Sequence, residues 1–379
     1  MKAIVNSKII TEQGILENHV VIFDENITAI VPEAKRSEYL FSEEIDGDGR
    51  YVSPGFIDIH VHGSGGFDTM DEDKNALENI SKHVLQTGVT SFLPTTMTMS
   101  FDKIAKTMER IRNAMGKGKG AEILGCHMEG PFINEIYKGA QDKRHIITPE
   151  FSKIGAYLDV IKIITVAPEI VEDNNFIQTC IEKGIVVSIG HSNATYEQTM
   201  AAISAGVSHM THTFNALPPL NHRCPGAIGA AMDSDVVCEL IVDNVHVHPA
   251  MQRLLLRVKG VDKIILITDA MRASMLGDGE YDLGGQRVIV SNGEARLADG
   301  VIAGSVLALN KAVKNFMDST GLDIVSAVQL VTMNPARQIG VAIHKGSIMV
   351  GKHADFIIFD DCLEVFATIV RGILLYKKE

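Results

Sequence analysis

No stretch of this sequence approaches the roughly 18 consecutive apolar residues that a membrane-spanning helix needs. The opening residues MKAIVNSKIITEQG have neither the apolar run nor the small-residue cleavage site of a secretory signal. Cysteine is sparse: Cys126, Cys180, Cys224, Cys238 and Cys362 are scattered, and no CxxC pair occurs. That pattern argues against a disulfide framework or a cysteine-based zinc module, and it fits reduced thiols in a cytoplasmic protein. A G-x-S-x-G elbow for a serine nucleophile is missing. So are the P-loop and G-x-G-x-x-G fingerprints of nucleotide chemistry. Excess positive charge is lacking too. A formal net charge of -12 argues against a general binder of nucleic acid or anionic membranes. It leaves room for an anionic substrate held by a few local cations.

What is present is an ordinary globular composition, 46% hydrophobic and 22% charged, in a chain of 379 residues. That length exceeds the usual ceiling for one continuous core, so a large domain with a smaller companion is expected. The first 50 residues read as short strands, KAIVNSKII, HVVIFD and NITAIV, separated by polar turns. The final stretch returns to that texture in GSIMVG, ADFIIFD and TIVRGILLY. Residues 1–52 and 337–379 are therefore expected to form one small β domain from both chain ends. Between them, 53–336 alternates strands with helices. Strands are expected at 55–60, 89–94, 122–127, 161–167, 185–190, 207–212, 236–242 and 264–268. Helical patterns include the stripe Ile104, Met108, Ile111 and Met115, then Tyr196–Ala205, Pro249–Val258 and Ser305–Met317. Eight such strands predict an α/β fold of the (β/α)8 TIM-like barrel type, with a doubly wound open sheet as the alternative. Residues 277–300 interrupt the alternation with glycine-punctuated β texture, which suggests a hairpin excursion near the barrel mouth.

The polar residues after the strands carry the chemistry. His60-Val61-His62 ends the first barrel strand, and residues two apart on an extended chain point the same way. Glu129 ends ILGCHME, His191 ends VVSIGH, His212 lies in HMTHTFNA, and Asp269 completes IILITD. Each alone has a bland reading. A histidine can cap a strand end, a glutamate can pair with a cation, and an aspartate can cap the next helix. Together, such groups from five strand ends indicate a divalent-metal site held by Glu129, His191 and His212. His60 and His62 are candidates for a second ion, and Asp269 for the general base. His127 and His209 are read as deeper barrel residues. Nitrogen and oxygen ligands of this kind suit zinc or iron, among others. The implied reaction is metal-assisted hydrolysis, with the aspartate taking a proton from water and returning it to a leaving nitrogen.

At this point the chain resembles the N-acetylglucosamine-6-phosphate deacetylase family of the amidohydrolase superfamily. The resemblance rests on PGFIDIHVHG, HMEGPF, SIGHSNAT, THTFNA, PGAIGA, ITDAM, VTMNPAR and KGSIMVGKHADFIIFD. It implies a metal-dependent hydrolase barrel beside a small β-sandwich, a cytoplasmic homodimer, and one or two ions per subunit. It also implies hydrolysis of a phosphorylated N-acetyl amino sugar to acetate and the free amine. Glu129, His191 and His212 match the family's principal ligands, Asp269 its acid/base, and His60 and His62 the motif of two-metal members. Arg223 in NHRCPG matches a phosphate-binding arginine. His246 in VDNVHVHP resembles a substrate-binding histidine working across the dimer interface, with His248 nearby as an alternative for a solvent-facing role. Asn215 and Ala216 match positions that hold the sugar phosphate. The sequence departs from many relatives at Gln141, where a histidine that orients the substrate amide is common. Glutamine can donate the hydrogen bond but carries no positive charge.

Two other readings compete. One is a related amidohydrolase, such as an N-acetylgalactosamine-6-phosphate deacetylase or a cyclic-amide hydrolase. Glu129 stands where the cyclic-amide enzymes commonly carry a carbamylated lysine. The other is an inactive sugar-phosphate-binding regulatory protein, which the intact set of ligands and Asp269 disfavours.

Overall fold

The structure is a computed structural model describing residues 1–172 and 175–378, so Glu379, the last residue of the expected C-terminal segment, lies outside the described residues. Eight parallel strands follow one another along the middle of the chain. They are Phe56–Val61, Val89–Pro94, a third in two pieces (Glu122–Ile123 and Cys126–Glu129), Ile161–Val166, Val186–Ile189, His209–Met210, Val237–Ile241 and Ile264–Ile267. Strands covered on both faces read as continuous apolar runs rather than alternating ones, and all four residues of Ile264–Ile267 are buried. Each strand pairs in parallel with the next in sequence, in two ladders. Isolated parallel bridges join Thr95 to His127 and Val61 to Ala270. The ladders thus meet at both edges, in sequence order, without the reversal that marks a doubly wound sheet.

The helices follow the expected periodicity with local exceptions. Phe101–Ala114 buries Ile104, Met108 and Ile111 on one face, while Met115 is the residue just beyond its end. Tyr196–Ser204 starts from a capping box between Thr195 and Gln198. Pro249–Lys259 begins with proline at its first position, where no N–H is needed. The helix expected from Ser305 starts instead at Leu309 and runs to Thr320. Ser305 donates its N–H to the Asp269 carbonyl at 2.8 Å and its hydroxyl to the Thr268 carbonyl at 2.6 Å. Those bonds hold it extended against the eighth strand.

Both chain ends supply the remaining large sheets. A six-stranded sheet runs in the order Ile373–Lys377, Val365–Val370, Phe356–Phe359, Tyr51–Pro54, Lys8–Thr11, Gly14–Leu16. In it Phe356 lies opposite Pro54, which joins the C-terminal segment to the N-terminal one. A four-stranded sheet contains Ile27–Pro32, His19–Phe23, Lys2–Val5 and Glu43–Asp46. Ile4, Val21 and Phe23 from the smaller sheet share an apolar cluster with Ile9, Val52, Phe356 and Ile369 from the larger.

Residues 277–300 are more than one hairpin. Gly279–Leu283, Gln286–Ser291 and Glu294–Leu297 form a three-stranded antiparallel sheet. Its Gln286 side chain donates to the Ala140 carbonyl, which ties it to the loop after the third parallel strand.

Candidate active site

Glu129 ends the third strand with its side chain buried. The next residue, Gly130, has φ +74°, and a Cβ there would sit 2.0 Å from Thr98 Oγ1, so the turn requires glycine. The two carboxylate oxygens face different partners. Oε1 lies 3.2 Å from His191 Nε2, 3.1 Å from His212 Nε2 and 3.5 Å from His60 Nε2. Oε2 lies 3.3 Å from His62 Nε2 and accepts a 2.8 Å hydrogen bond from Gln141 Nε2.

Asp269 Oδ1 completes the cluster at 3.2 Å from His62 Nε2 and 3.5 Å from His60 Nε2. His191, His212 and Asp269 have φ of 49°, 28° and 48°. Non-glycine residues rarely adopt positive φ, and such strain concentrates at functional sites. Three of the converging side chains are therefore aimed by backbone that local preference disfavours.

The far nitrogens decide what the near ones offer. His62 Nδ1 lies 3.2 Å from the Thr95 carbonyl and His191 Nδ1 lies 2.9 Å from the Tyr137 carbonyl. A carbonyl only accepts, so each Nδ1 carries a proton, which leaves Nε2 as the nitrogen through which each ring would meet a cation at the centre. His212 Nε2 and His191 Nε2 face each other at 3.1 Å, and His60 Nε2 is buried without a hydrogen-bond partner. Two facing ring nitrogens, an orphaned third and a central carboxylate fit a divalent cation. Glu129, His191 and His212 make one group of suitable spacing, and His60, His62 and Glu129 make another.

Without an ion the cluster is strongly polarised. Burial opposes the charge on His60, yet Glu239, Asp269 and Glu129 raise its pKa to about 9. His62 is likewise raised against burial by Asp269 and Glu129. Burial opposes ionisation of Glu129, but His60 and His191 hold its carboxyl well below the usual range. Asp269 is lowered against burial by His60, His62 and His212. It is a carboxylate at neutral pH.

The cluster opens into a cavity of about 250 Å³ bordered by Gln141, Asn215, Ala216 and His246 as well as His62, Glu129, His191, His212 and Asp269, with His60 behind them. His246 reaches it within its own chain, fixed by a 2.6 Å contact between its Nδ1 and Asp243 Oδ2. His248 instead caps the following helix, its Nδ1 accepting from Ala250 N–H. Arg223 is not brought to this cavity. It is exposed and borders a separate depression with Asn193, Thr195 and Cys224.

Behind the cluster lies a polar layer. His127 donates from Nδ1 to the Ile59 carbonyl at 3.1 Å and accepts from Thr165 at 2.7 Å, and burial lowers its pKa to about 3. It is a neutral interior residue, as is fitting beneath a site it does not line. Two further carboxylates stand here, inside strands rather than at their ends. Asp58 accepts from Thr268 Oγ1 at 2.6 Å and from His60 N–H at 3.2 Å, linking the first and eighth strands. Glu239 accepts from the His60 and His209 side chains. The signal was a single acid inside an apolar strand, FIDIHV and VCELIV.

A family model described as "Amidohydrolase family" matches residues 51–374. The chain is 40% identical over 336 residues to an N-acetylglucosamine-6-phosphate deacetylase from Lysinibacillus sphaericus, covering 87% of each chain. It is 34% identical over 372 residues to an N-acetylgalactosamine-6-phosphate deacetylase from Escherichia coli O157:H7, covering 96% of this chain and 97% of the relative. The crystal structure of N-acetylglucosamine-6-phosphate deacetylase from Pasteurella multocida superposes with TM-score 0.94 at 32% identity, covering all of both chains.

Proposed function

The chain belongs to the amidohydrolase family, and we propose that it hydrolyses N-acetyl-D-glucosamine 6-phosphate to D-glucosamine 6-phosphate and acetate. The observation that carries the reading is the convergence of Glu129, His191, His212, His60 and His62 beside an ionised Asp269, all but His60 bordering one cavity. On this reading 53–336 is a (β/α)8 catalytic barrel, and 1–52 with 337–379 is a small β-sandwich domain.

Glu129, His191 and His212 would hold a divalent cation, zinc or iron, and His60 and His62 with Glu129 would offer a second position. Such a cation supplies Lewis acidity for the amide carbonyl and makes water acidic enough to act near neutral pH. Asp269 accepts a proton from the attacking water while the water oxygen bonds to the acetyl carbon. It then gives the proton to the sugar nitrogen as the carbon–nitrogen bond breaks. One carboxylate serves as base and then acid. Its lowered pKa keeps it ready for the first step.

Gln141, Asn215, Ala216 and His246 are assigned to the sugar, and Arg223 to the phosphate through a paired guanidinium contact. Because Arg223 lies outside its own chain's cavity, that assignment requires a homodimer that brings it to the partner's site. Among the described residues, no helix is long and apolar enough to cross a membrane, and a cytoplasmic location is part of the proposal. The likeness to an N-acetylgalactosamine-6-phosphate deacetylase supports a second reading that differs in one sugar hydroxyl.

A panel of phosphorylated and unphosphorylated N-acetyl hexosamines, incubated with metal-loaded protein and read by acetate release, separates these readings. Fastest release from the 6-phosphorylated gluco sugar supports the first, and faster release from the galacto epimer supports the second. Sugar-phosphate binding without acetate release refutes both and leaves the regulatory-protein reading.

A further inference from the structure

Glu239 lies in the middle of the seventh parallel strand, fully buried and outside the cavity. A carboxylate there is costly unless donors surround it. Three do. His60 Nδ1 lies 2.9 Å from Oε2, the His212 N–H lies 3.0 Å from the same oxygen, and His209 Nε2 lies 3.0 Å from Oε1.

The first two contacts bear on the ligand cluster from opposite sides. With a carboxylate at Nδ1, the neutral His60 ring keeps its proton there, which leaves its buried, unpartnered Nε2, 3.5 Å from Glu129 and Asp269, free to offer a lone pair to a cation. In the other tautomer Nε2 would carry the hydrogen and could not ligate. The backbone contact acts differently. His212 has φ 28°, and its N–H bond to Glu239 holds that strained backbone while Nε2 points at Glu129 Oε1. A single carboxylate therefore links the His60 side of the cluster to the His212 side.

We propose that Glu239 is a positioning residue that fixes the His60 tautomer and the His212 backbone, and thereby governs cation uptake at the position bounded by His60, His62 and Glu129. This rests on the reading of those three residues as metal ligands, but not on which sugar is hydrolysed.

The test is zinc titration of metal-stripped full-length protein against a competing chelator, with ions counted per chain. It compares wild type, Glu239→Gln and Glu239→Asp, with circular dichroism and melting as checks on folding. Glutamine has one acceptor oxygen and replaces the other by a donor, so at least one of the three N–H groups loses its partner. Wild type is expected to take two ions. Glu239→Gln should weaken the second by about 10–100-fold, as outer-shell changes commonly do, and disturb the first less. Glu239→Asp should recover part of the loss. Nitrogen-15 resonances of His60 in the metal-free protein, recorded above the ring's pKa of about 9 so that it is neutral, should report Nδ1–H in wild type and a mixture of tautomers in Glu239→Gln.

A purely structural role predicts a lower melting temperature with unchanged second-ion affinity and tautomer, which would overturn the proposal. So would a wild type that binds one ion at saturating zinc. If Glu239→Gln does not fold, Glu239→Asp carries the decision, and wild-type affinity for the second ion there refutes it. Failure to release acetate leaves these readouts intact, since it bears on the reaction alone.

Discussion

Gln141 Nε2 donates a 2.8 Å hydrogen bond to Glu129 Oε2, while Gln141 Oε1 accepts from the Thr98 N–H at 2.7 Å. The side chain expected to contact the substrate amide is thus also a brace for the carboxylate at the centre of the cluster. A glutamate at this position would face Glu129 with like charge. Gln141→Glu should lower metal affinity by about 10–100-fold, within the range for changes just outside the ligands. Metal retained after dialysis against a chelator measures it, and wild-type retention would remove the bracing role.

Glu129 stands between both groups of histidines, so its removal should cost more than any outer contact. Glu129→Ala is expected to lose metal by more than the roughly 10–100-fold typical of outer-shell changes. Ligands that bind only the native state raise its melting temperature. Added zinc should therefore raise the melting temperature of wild type and leave that of Glu129→Ala nearly unmoved. An equal rise in both would contradict the central position of this carboxylate.

The metal-free protein should lose stability as pH rises. His60 is raised from 6.5 to about 9 in the folded chain, with burial opposing and Glu239, Asp269 and Glu129 driving the shift. A raised folded pKa means that the native state binds the proton more tightly than the unfolded chain. This contribution is fully present below pH 6.5 and disappears as pH passes through about 9. Melting of stripped protein across that window should fall, and Glu239→Gln should flatten the fall. A flat wild-type profile contradicts the polarised cluster.

Arg223→Ala should discriminate between substrates. A charge-assisted hydrogen bond contributes roughly 1.5–3 kcal/mol, which corresponds to about 10–150-fold in kcat/KM for the phosphorylated sugar. The unphosphorylated sugar should change little. Equal effects on both would show that the guanidinium does not meet the phosphate.

Much of this site was legible because strand ends are legible. Apolar runs stop abruptly at His60, Glu129, His191 and Asp269, and a polar group at such a position is visible without knowing the fold. Strand order followed from the regular alternation. Glu239 was hidden because its meaning depends on His60, 179 residues away, facing the same interior. Periodicity cannot show which charges share an interior. The same limit applies to Gln141, whose amide reaches Glu129 through a loop, and to Arg223, whose motif says nothing about which side of the cavity wall it occupies. The helix expected from Ser305 failed for a local reason. Its N–H and hydroxyl are engaged by Asp269 and Thr268, partners that apolar spacing does not reveal.

The account stands or falls on Asp269 acting beside a bound cation. The most direct measurement is acetate release from N-acetylglucosamine 6-phosphate by wild type and Asp269→Asn, loaded to equal metal content. Wild type should release one acetate for each glucosamine 6-phosphate formed. Asp269→Asn should be slower by about 100–10,000-fold, the range for a positioned general acid–base. Turnover at the wild-type rate by fully loaded Asp269→Asn would contradict the mechanism.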